Sequence, residues 1–293
     1  MSVLHAIILG IIQGLTEFLP ISSSGHLVIF KYILGVNIDA GSVAQSGALF
    51  EVILHVGTLL AIIVVYYKDV WMLIREGIGL IIDIIRFIFG AFRSKRKRVR
   101  IVATRDRRML LLILTASVPT ALIGFFLKDI FEQYLMQSLL ATGMALLVTG
   151  GLLKLSGKLV SGHKRVEKAT YKNAIVVGLL QGFAITPGIS RSGSTIVGGL
   201  LCGFDKEFAI KFSFLMSLPA VGGAALLKVT EVPLELIKLN AVPYLSGMMA
   251  SAIVGFICIK TLLVLLRRNK FHYFSYYCFL VGALSIGWSI FFS

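Results

Sequence analysis

The residues able to do chemistry concentrate in Gln13-Gly-Leu-Thr-Glu17-Phe-Leu-Pro-Ile-Ser22-Ser23-Ser24-Gly25-His26, which sets a carboxylate, three serine hydroxyls and an imidazole inside an apolar run. An ionisable group in such surroundings costs several kcal/mol unless it is paired or wetted, so it marks a candidate site. A second cluster, Gln181-Gly-Phe-Ala-Ile-Thr-Pro187-Gly188-Ile-Ser190-Arg191-Ser192-Gly193-Ser194-Thr195, repeats the order Gln-Gly, apolar residues, Pro, then Ser/Gly; its charged member is Arg191. The guanidinium fork suits phosphate oxygens, and hydroxyls add donors. A carboxylate beside a phosphate needs a divalent cation such as Mg2+ between them, or serves as a base. Histidine moves a proton near neutral pH. Glu17, Ser23, His26 and Arg191 are thus the catalytic candidates, with Glu17 the metal candidate. Gln13, Ser22, Gly188, Ser190, Ser192, Ser194 and Thr195 are the substrate-binding ones. These are the parts for hydrolysing a phosphoanhydride in a membrane-embedded cleft.

The elements that must position them are broken helices. Proline followed by a Ser/Gly run does not continue a helix, so one half ends near Leu19 and another begins in the serines. A half-helix N-terminus presents unpaired N–H groups and the positive dipole end, which receives an anion. Two interrupted apolar segments in corresponding places of two halves point to a site at the repeat interface.

Composition agrees. The chain has 293 residues, 57% hydrophobic and 15% charged, too apolar for a soluble domain and fitting an all-α polytopic membrane protein. Windows long enough to cross a bilayer fall at about 48–67, 109–127, 136–155, 209–228, 243–266 and 271–291. The motif segments, about 5–35 and 173–203, read as re-entrant hairpins. The stretch 70–92 carries Arg75, Glu76, Asp83 and Arg86 and reads as an interfacial amphipathic helix.

Basic clusters set the orientation. Arg93 to Arg108 holds nine Lys/Arg against Asp106, Lys154 to Lys172 holds six against Glu167, and Arg267, Arg268 and Lys270 form a third cluster. All three belong on the cytoplasmic side, and 36–47, 128–135 and 229–240 outside. The result is an inverted-topology repeat in a single membrane domain, 1–293, with halves 1–155 and 156–293. Each half is a re-entrant broken-helix hairpin plus three transmembrane helices. The first hairpin opens outside and the second to the cytoplasm. The net charge of +15 is accounted for by cytoplasmic loops, and no nucleic acid partner is expected. Cys202, Cys258 and Cys278 lack paired spacing and read as packing residues. The N-terminus lacks the basic region of a cleavable signal peptide.

Plainer readings exist for each residue. Glu17 and Arg191 could be an ion pair locking two helices, and His26 a packed, hydrogen-bonded side chain. The serines could bond back to carbonyls, and Gln13 and Gln181 could bridge broken backbone. His5, His55, His163 and His272 read as incidental, and Glu51 and Lys211 as secondary. The attacking atom stays open between Ser23, His26 and a water activated by Glu17 or His26. Architecture alone would favour a different class, a secondary transporter or lipid flippase.

The motifs add a resemblance. Gln13-x-x-x-Glu17, Pro-x-Ser-Ser-x-Gly-His at Pro20–His26 and Pro-Gly-x-Ser-Arg-Ser-x-x-Thr at Pro187–Thr195 resemble the signatures of the undecaprenyl-pyrophosphate phosphatase, or bacitracin-resistance, family. The resemblance implies removal of the terminal phosphate from a polyprenyl pyrophosphate with Mg2+ or Ca2+, at the outer face of the plasma (inner) membrane. The product would be the monophosphate carrier reused for peptidoglycan and other envelope polymers. The expected partners are the lipid substrate and membrane lipids, and a homodimer is allowed. Glu17 then matches the family's acidic position, His26 its histidine, Ser22 and Ser23 its hydroxyls, and Ser190, Arg191 and Thr195 its pyrophosphate clamp. Gln13 departs from the Glu often found there, which weakens a two-carboxylate metal site.

Overall fold

A computed structural model describes residues 2–34, 42–90, 104–130, 138–159, 162–231, 233–268 and 270–292. The basic run 93–103, the segment 35–41 and residues 131–137, whose sidedness the charge pattern predicts, lie outside the described residues.

The first broken helix forms for local reasons. Ser2 caps α1 (Val3–Phe18) by accepting the His5 N–H at 3.2 Å. Leu19, held extended at ψ 140° by the proline that follows, ends it. Ser22 then caps α2 (Ser23–Ile33). The second pair repeats the device: Thr170 and Asn173 form a capping box on α7 (Tyr171–Phe183), and Ser190 caps α8 (Arg191–Leu201).

Long apolar helices surround these pairs: α3 (Ser42–Val65), α5 (Arg105–Ile130), α6 (Leu139–Ser156), α9 (Lys206–Glu231), α11 (Ala241–Arg267) and α12 (Phe274–Phe292). Six spans among the described residues are long and apolar enough to cross a membrane: 48–65, 105–127, 139–156, 206–227, 241–265 and 271–291. These fall on the windows read from hydropathy. The protein is a multi-pass, all-helical membrane protein, and side chains such as Phe125, Leu226 and Ile253 on the spans face outward as a lipid-exposed surface.

Packing joins helices far apart in the chain. Helix α1 lies along α11, and α7 lies along α5. Close backbone approach makes both contacts: a Cβ on Gly10 would sit 2.3 Å from the Gly247 carbonyl, and one on Gly178 would sit 2.1 Å from that of Ala116. Neither approach admits a side chain. Helices α6 and α12 pair with each other, and α3 packs against α9 and α11. Phe18 meets Phe214 edge-on at 5.3 Å, so the end of α1 is seated in the main core.

Helix α4 (Tyr67–Gly90) covers the stretch expected to be interfacial and is not among the spans. Two of its charges are not free for a headgroup region, because Arg107 of α5 donates to Glu76 at 2.6 Å and Asp83 at 3.0 Å. Beside it, Arg108 donates to the Val166 and Ala169 carbonyls and ties down the segment before α7. A short helix α10 (Leu234–Leu239) and a 3-10 turn at Phe271–Tyr273 complete the chain.

Candidate active site

The starting points of α2 and α8 meet. Ser22, with φ 69°, is the single non-glycine residue at positive φ among the described residues. Such a backbone costs on the order of 1–3 kcal/mol and persists only when its surroundings over-determine it. Here they do: Ser22 Oγ accepts from its own helix at Gly25 N (3.3 Å) and from the other hairpin at Gly188 N (3.1 Å), and its carbonyl accepts from His26 Nδ1 at 2.7 Å. Ser192 Oγ returns a longer contact to the Leu19 carbonyl at 3.5 Å.

Across this junction Glu17 and Arg191 form an ion pair through Oε1 and Nη2. Glu17 is 6% exposed, and its other oxygen, Oε2, accepts from Ser23 Oγ at 2.5 Å and Gln13 Nε2 at 2.9 Å. The same Gln13 nitrogen lies 2.8 Å from His55 Nδ1, which is itself 3.4 Å from Glu17 Oε2. Gln13, Glu17, Ser23 and Arg191 are therefore one cluster, joined by His55 of α3. Sequence reasoning set His55 aside; the structure places it at the centre. Its signal was faint, a histidine in the helix directly after the first hairpin.

His26 faces the other way around the first turn of α2. Its Nε2 is 2.7 Å from the Tyr277 hydroxyl of α12, and the two rings stack at 5.6 Å with 10° between planes. Tyr277 is a second residue the motifs did not reveal, and nothing local in the sequence marks it.

The second hairpin is pinned rather than open. Thr149 of α6 donates to the Gly188 carbonyl at 2.8 Å and accepts from Ser190 N at 3.0 Å. Gly188 has φ 96°, and a Cβ there would lie 2.3 Å from the Thr142 carbonyl, so only glycine suits the turn. Ser190 Oγ caps Gly193 N at 3.0 Å and contacts Ser192 Oγ at 3.3 Å. Thr195 Oγ1 turns to the Arg191 carbonyl and to Ser213 Oγ of α9 at 2.6 Å. Gln181 pairs with Thr120 of α5, apart from the Glu17 cluster. Two buried donors in this hairpin have no protein partner: Arg191 Nη1 and Ser194 Oγ. Unspent donors behind a helix N-terminus are what an anion would complete.

Among the described residues, no three His, Cys, Asp or Glu side chains are placed to hold a metal. Glu17 is the one carboxylate in this cluster, and a cation there must draw its remaining ligands from neutral groups or from a substrate. The buried Gln13 Oε1, which has no hydrogen-bond partner, is such a group. Of the secondary candidates, Glu51 pairs with Lys31, and Lys211 with Asp69 at 2.8 Å beside a separate cleft of about 300 Å3 that also meets Arg165, Asp205 and Phe208.

Fold and site together define a polytopic helical membrane protein whose polar centre is built by two broken helices. The chain belongs to the family described as bacitracin resistance protein BacA, whose model matches residues 6–284. Curated relatives agree along nearly the full length. An undecaprenyl-diphosphatase of Alkaliphilus metalliredigens is 43% identical over 292 residues, covering 99% of this chain and 100% of that protein. One of Halothermothrix orenii is 41% identical over 287 residues, covering 98% of each, and one of Methanosphaera stadtmanae is 39% identical over 286 residues, again 98% of each.

Proposed function

We propose that this chain is a membrane phosphatase that hydrolyses undecaprenyl diphosphate to the monophosphate and so recycles the lipid carrier of cell-wall polymers. The observation that carries the reading is the Glu17–Arg191 pair at the meeting of two helix N-termini, with Arg191 Nη1 and Ser194 Oγ still unspent. A diphosphate entering there competes with Glu17 for the guanidinium. Arg191 then clamps phosphate oxygens, the α2 and α8 termini add N–H groups, and Glu17 is left with Ser23. Ser23 Oγ, aligned by its hydrogen bond to Glu17, is the hydroxyl placed to attack the terminal phosphorus, its proton passing to the carboxylate. The P–O bond to the bridging oxygen breaks, and the prenyl monophosphate leaves with that oxygen. Water then hydrolyses the phosphoserine, releasing inorganic phosphate and restoring the Ser23 hydroxyl. His26, held by Ser22 and Tyr277, stabilises the strained turn that aims Ser23, and the proton taken up by Glu17 returns to Ser23 Oγ in the second step. A divalent cation, Mg2+ or Ca2+, would be held by Glu17 and would neutralise phosphate charge there.

The architecture belongs to the same proposal. The matched helix pairs α1/α2 and α7/α8, each lying on a helix of the opposite half, support an inverted repeat of halves 1–155 and 156–293 with re-entrant hairpins. With the basic clusters in the cytoplasm, the first hairpin opens the site to the outer face of the plasma membrane. Phosphate release from undecaprenyl diphosphate by purified protein, with and without chelator, tests the function. Cation-dependent release supports it, and folded protein that releases nothing across several prenyl substrates and ions overturns it. The paired broken helices also favour a second reading, movement of the product across the bilayer. Absence of labelled polyprenyl phosphate transfer by a folded, hydrolysis-dead variant in liposomes would remove that role.

A further inference from the structure

We infer that His55 is a direct ligand of the site's divalent cation, and that together with Gln13 and Glu17 it gives this chain an N,O,O metal face in place of a two-carboxylate one. The inference rests on the phosphatase reading for the cation's purpose but not for its geometry. Three inward-facing atoms form a triangle: the Gln13 amide atom to Glu17 Oε2 is 2.9 Å, the same atom to His55 Nδ1 is 2.8 Å, and Nδ1 to Oε2 is 3.4 Å. Ligands about 2.1 Å from a metal sit about 3 Å apart when they are cis neighbours, so the triangle has the dimensions of one coordination face.

The present hydrogen bonding leaves that face unfinished. Glu17 Oε2 accepts from the Gln13 NH2, whose nitrogen also lies within hydrogen-bond reach of His55 Nδ1, so one amide holds the two together. Gln13 Oε1 meanwhile points away, buried and without a partner. A half-turn of the amide puts Oε1 where the nitrogen stands. Carboxylate, carbonyl and imidazole would then lie within 3.4 Å of one another with no amide hydrogen between them, the spacing that one face of a cation's ligand shell requires. The Ser23 hydroxyl, 2.5 Å from Oε2, borders the same point. Gln13 is neutral and cannot supply the second negative charge of a dicarboxylate site, while an imidazole adds a stronger donor to first-row metals than to Ca2+ or Mg2+. The face should therefore favour Mn2+ over Ca2+.

The test is Mn2+ bound to the purified protein in detergent, read by pulsed electron paramagnetic resonance for hyperfine coupling to nitrogen. The wild type is expected to show one directly bound imidazole nitrogen. His55→Ala and His55→Gln should each abolish that coupling and weaken Mn2+ binding about tenfold or more, with Ca2+ binding much less affected. His26→Ala should retain the coupling. Elution as a monodisperse peak checks that each variant is folded. Mn2+ bound without nitrogen coupling, coupling that survives in His55→Gln, or no saturable Mn2+ binding overturns the inference. Phosphate release by the same wild-type preparation separates the two claims. Release without nitrogen coupling sinks the ligand and spares the phosphatase, and coupling without release does the reverse.

Discussion

The two hairpins share a backbone design and differ in what they carry. In each, an apolar helix stops before a Ser-x-x-Gly turn whose serine caps the next helix, Ser22 to Gly25 and Ser190 to Gly193. The first holds Glu17, Ser23 and His26, and its second helix is buried only at Gly25, His26 and Leu27. The second holds Arg191 on a helix buried from Ser192 to Leu200, pinned by Thr149 and Ser213. In the proposed mechanism the second pair is therefore the anion clamp, and the first presents a half-buried hydroxyl and its carboxylate to what the clamp holds.

Substitutions can break that division, and the largest effect should come from the pair that joins the hairpins. Arg191→Ala is expected to lower phosphate release about a thousandfold or more, and Arg191→Lys should recover little, because an ammonium lacks the planar fork. Steady-state kinetics in detergent decides this, and near-full rescue by lysine would reduce Arg191 to a point charge. Next, Ser23→Ala should lower kcat about a hundredfold with KM little changed, whereas Ser24→Ala should cost less than about fivefold. Equal effects would remove the special place of Ser23. On the clamp side the losses should be structural: Gly188→Ala meets both a φ of 96° and a carbonyl 2.3 Å from its Cβ, and should destabilise by about 2 kcal/mol or more in thermal unfolding. Thr149→Val, which removes one donor and one acceptor from the same turn, should cost about 1–2 kcal/mol. The smallest change expected is Tyr277→Phe. It keeps the ring stacked on His26 but deletes the hydroxyl 2.7 Å from Nε2, so a severalfold fall in kcat with unchanged Tm is the expected outcome.

Much of this was legible because it is locally encoded. Pro20 and the serines fix the break between Phe18 and Ser23, and hydropathy alone places the six spans. Glu17 and Arg191 stood out as charges in apolar runs, and the plainer reading of them is what the structure shows: an ion pair, formed where the two broken helices meet. What stayed hidden depends on which face of a distant helix turns inward. His55 looks like any histidine in an apolar span until α3 packs beside α1, and Tyr277 acquires meaning only because α12 is brought against α2 from the far end of the chain. Likewise, the charges of α4 mark an amphipathic helix in the sequence, but only the packing shows that Arg107 of α5 takes up Glu76 and Asp83.

The central claim is that Glu17 and Arg191, paired in the resting site, serve the same chemical step once a diphosphate parts them, Arg191 holding the phosphate that Ser23, activated by Glu17, attacks. The direct measurement is a double-mutant cycle on phosphate release from undecaprenyl diphosphate with Glu17→Gln, Arg191→Gln and the double variant, each verified as folded. Residues that act together are non-additive, so the double variant should be within about tenfold of the worse single one. Losses that multiply across the cycle would show two independent roles and contradict the account.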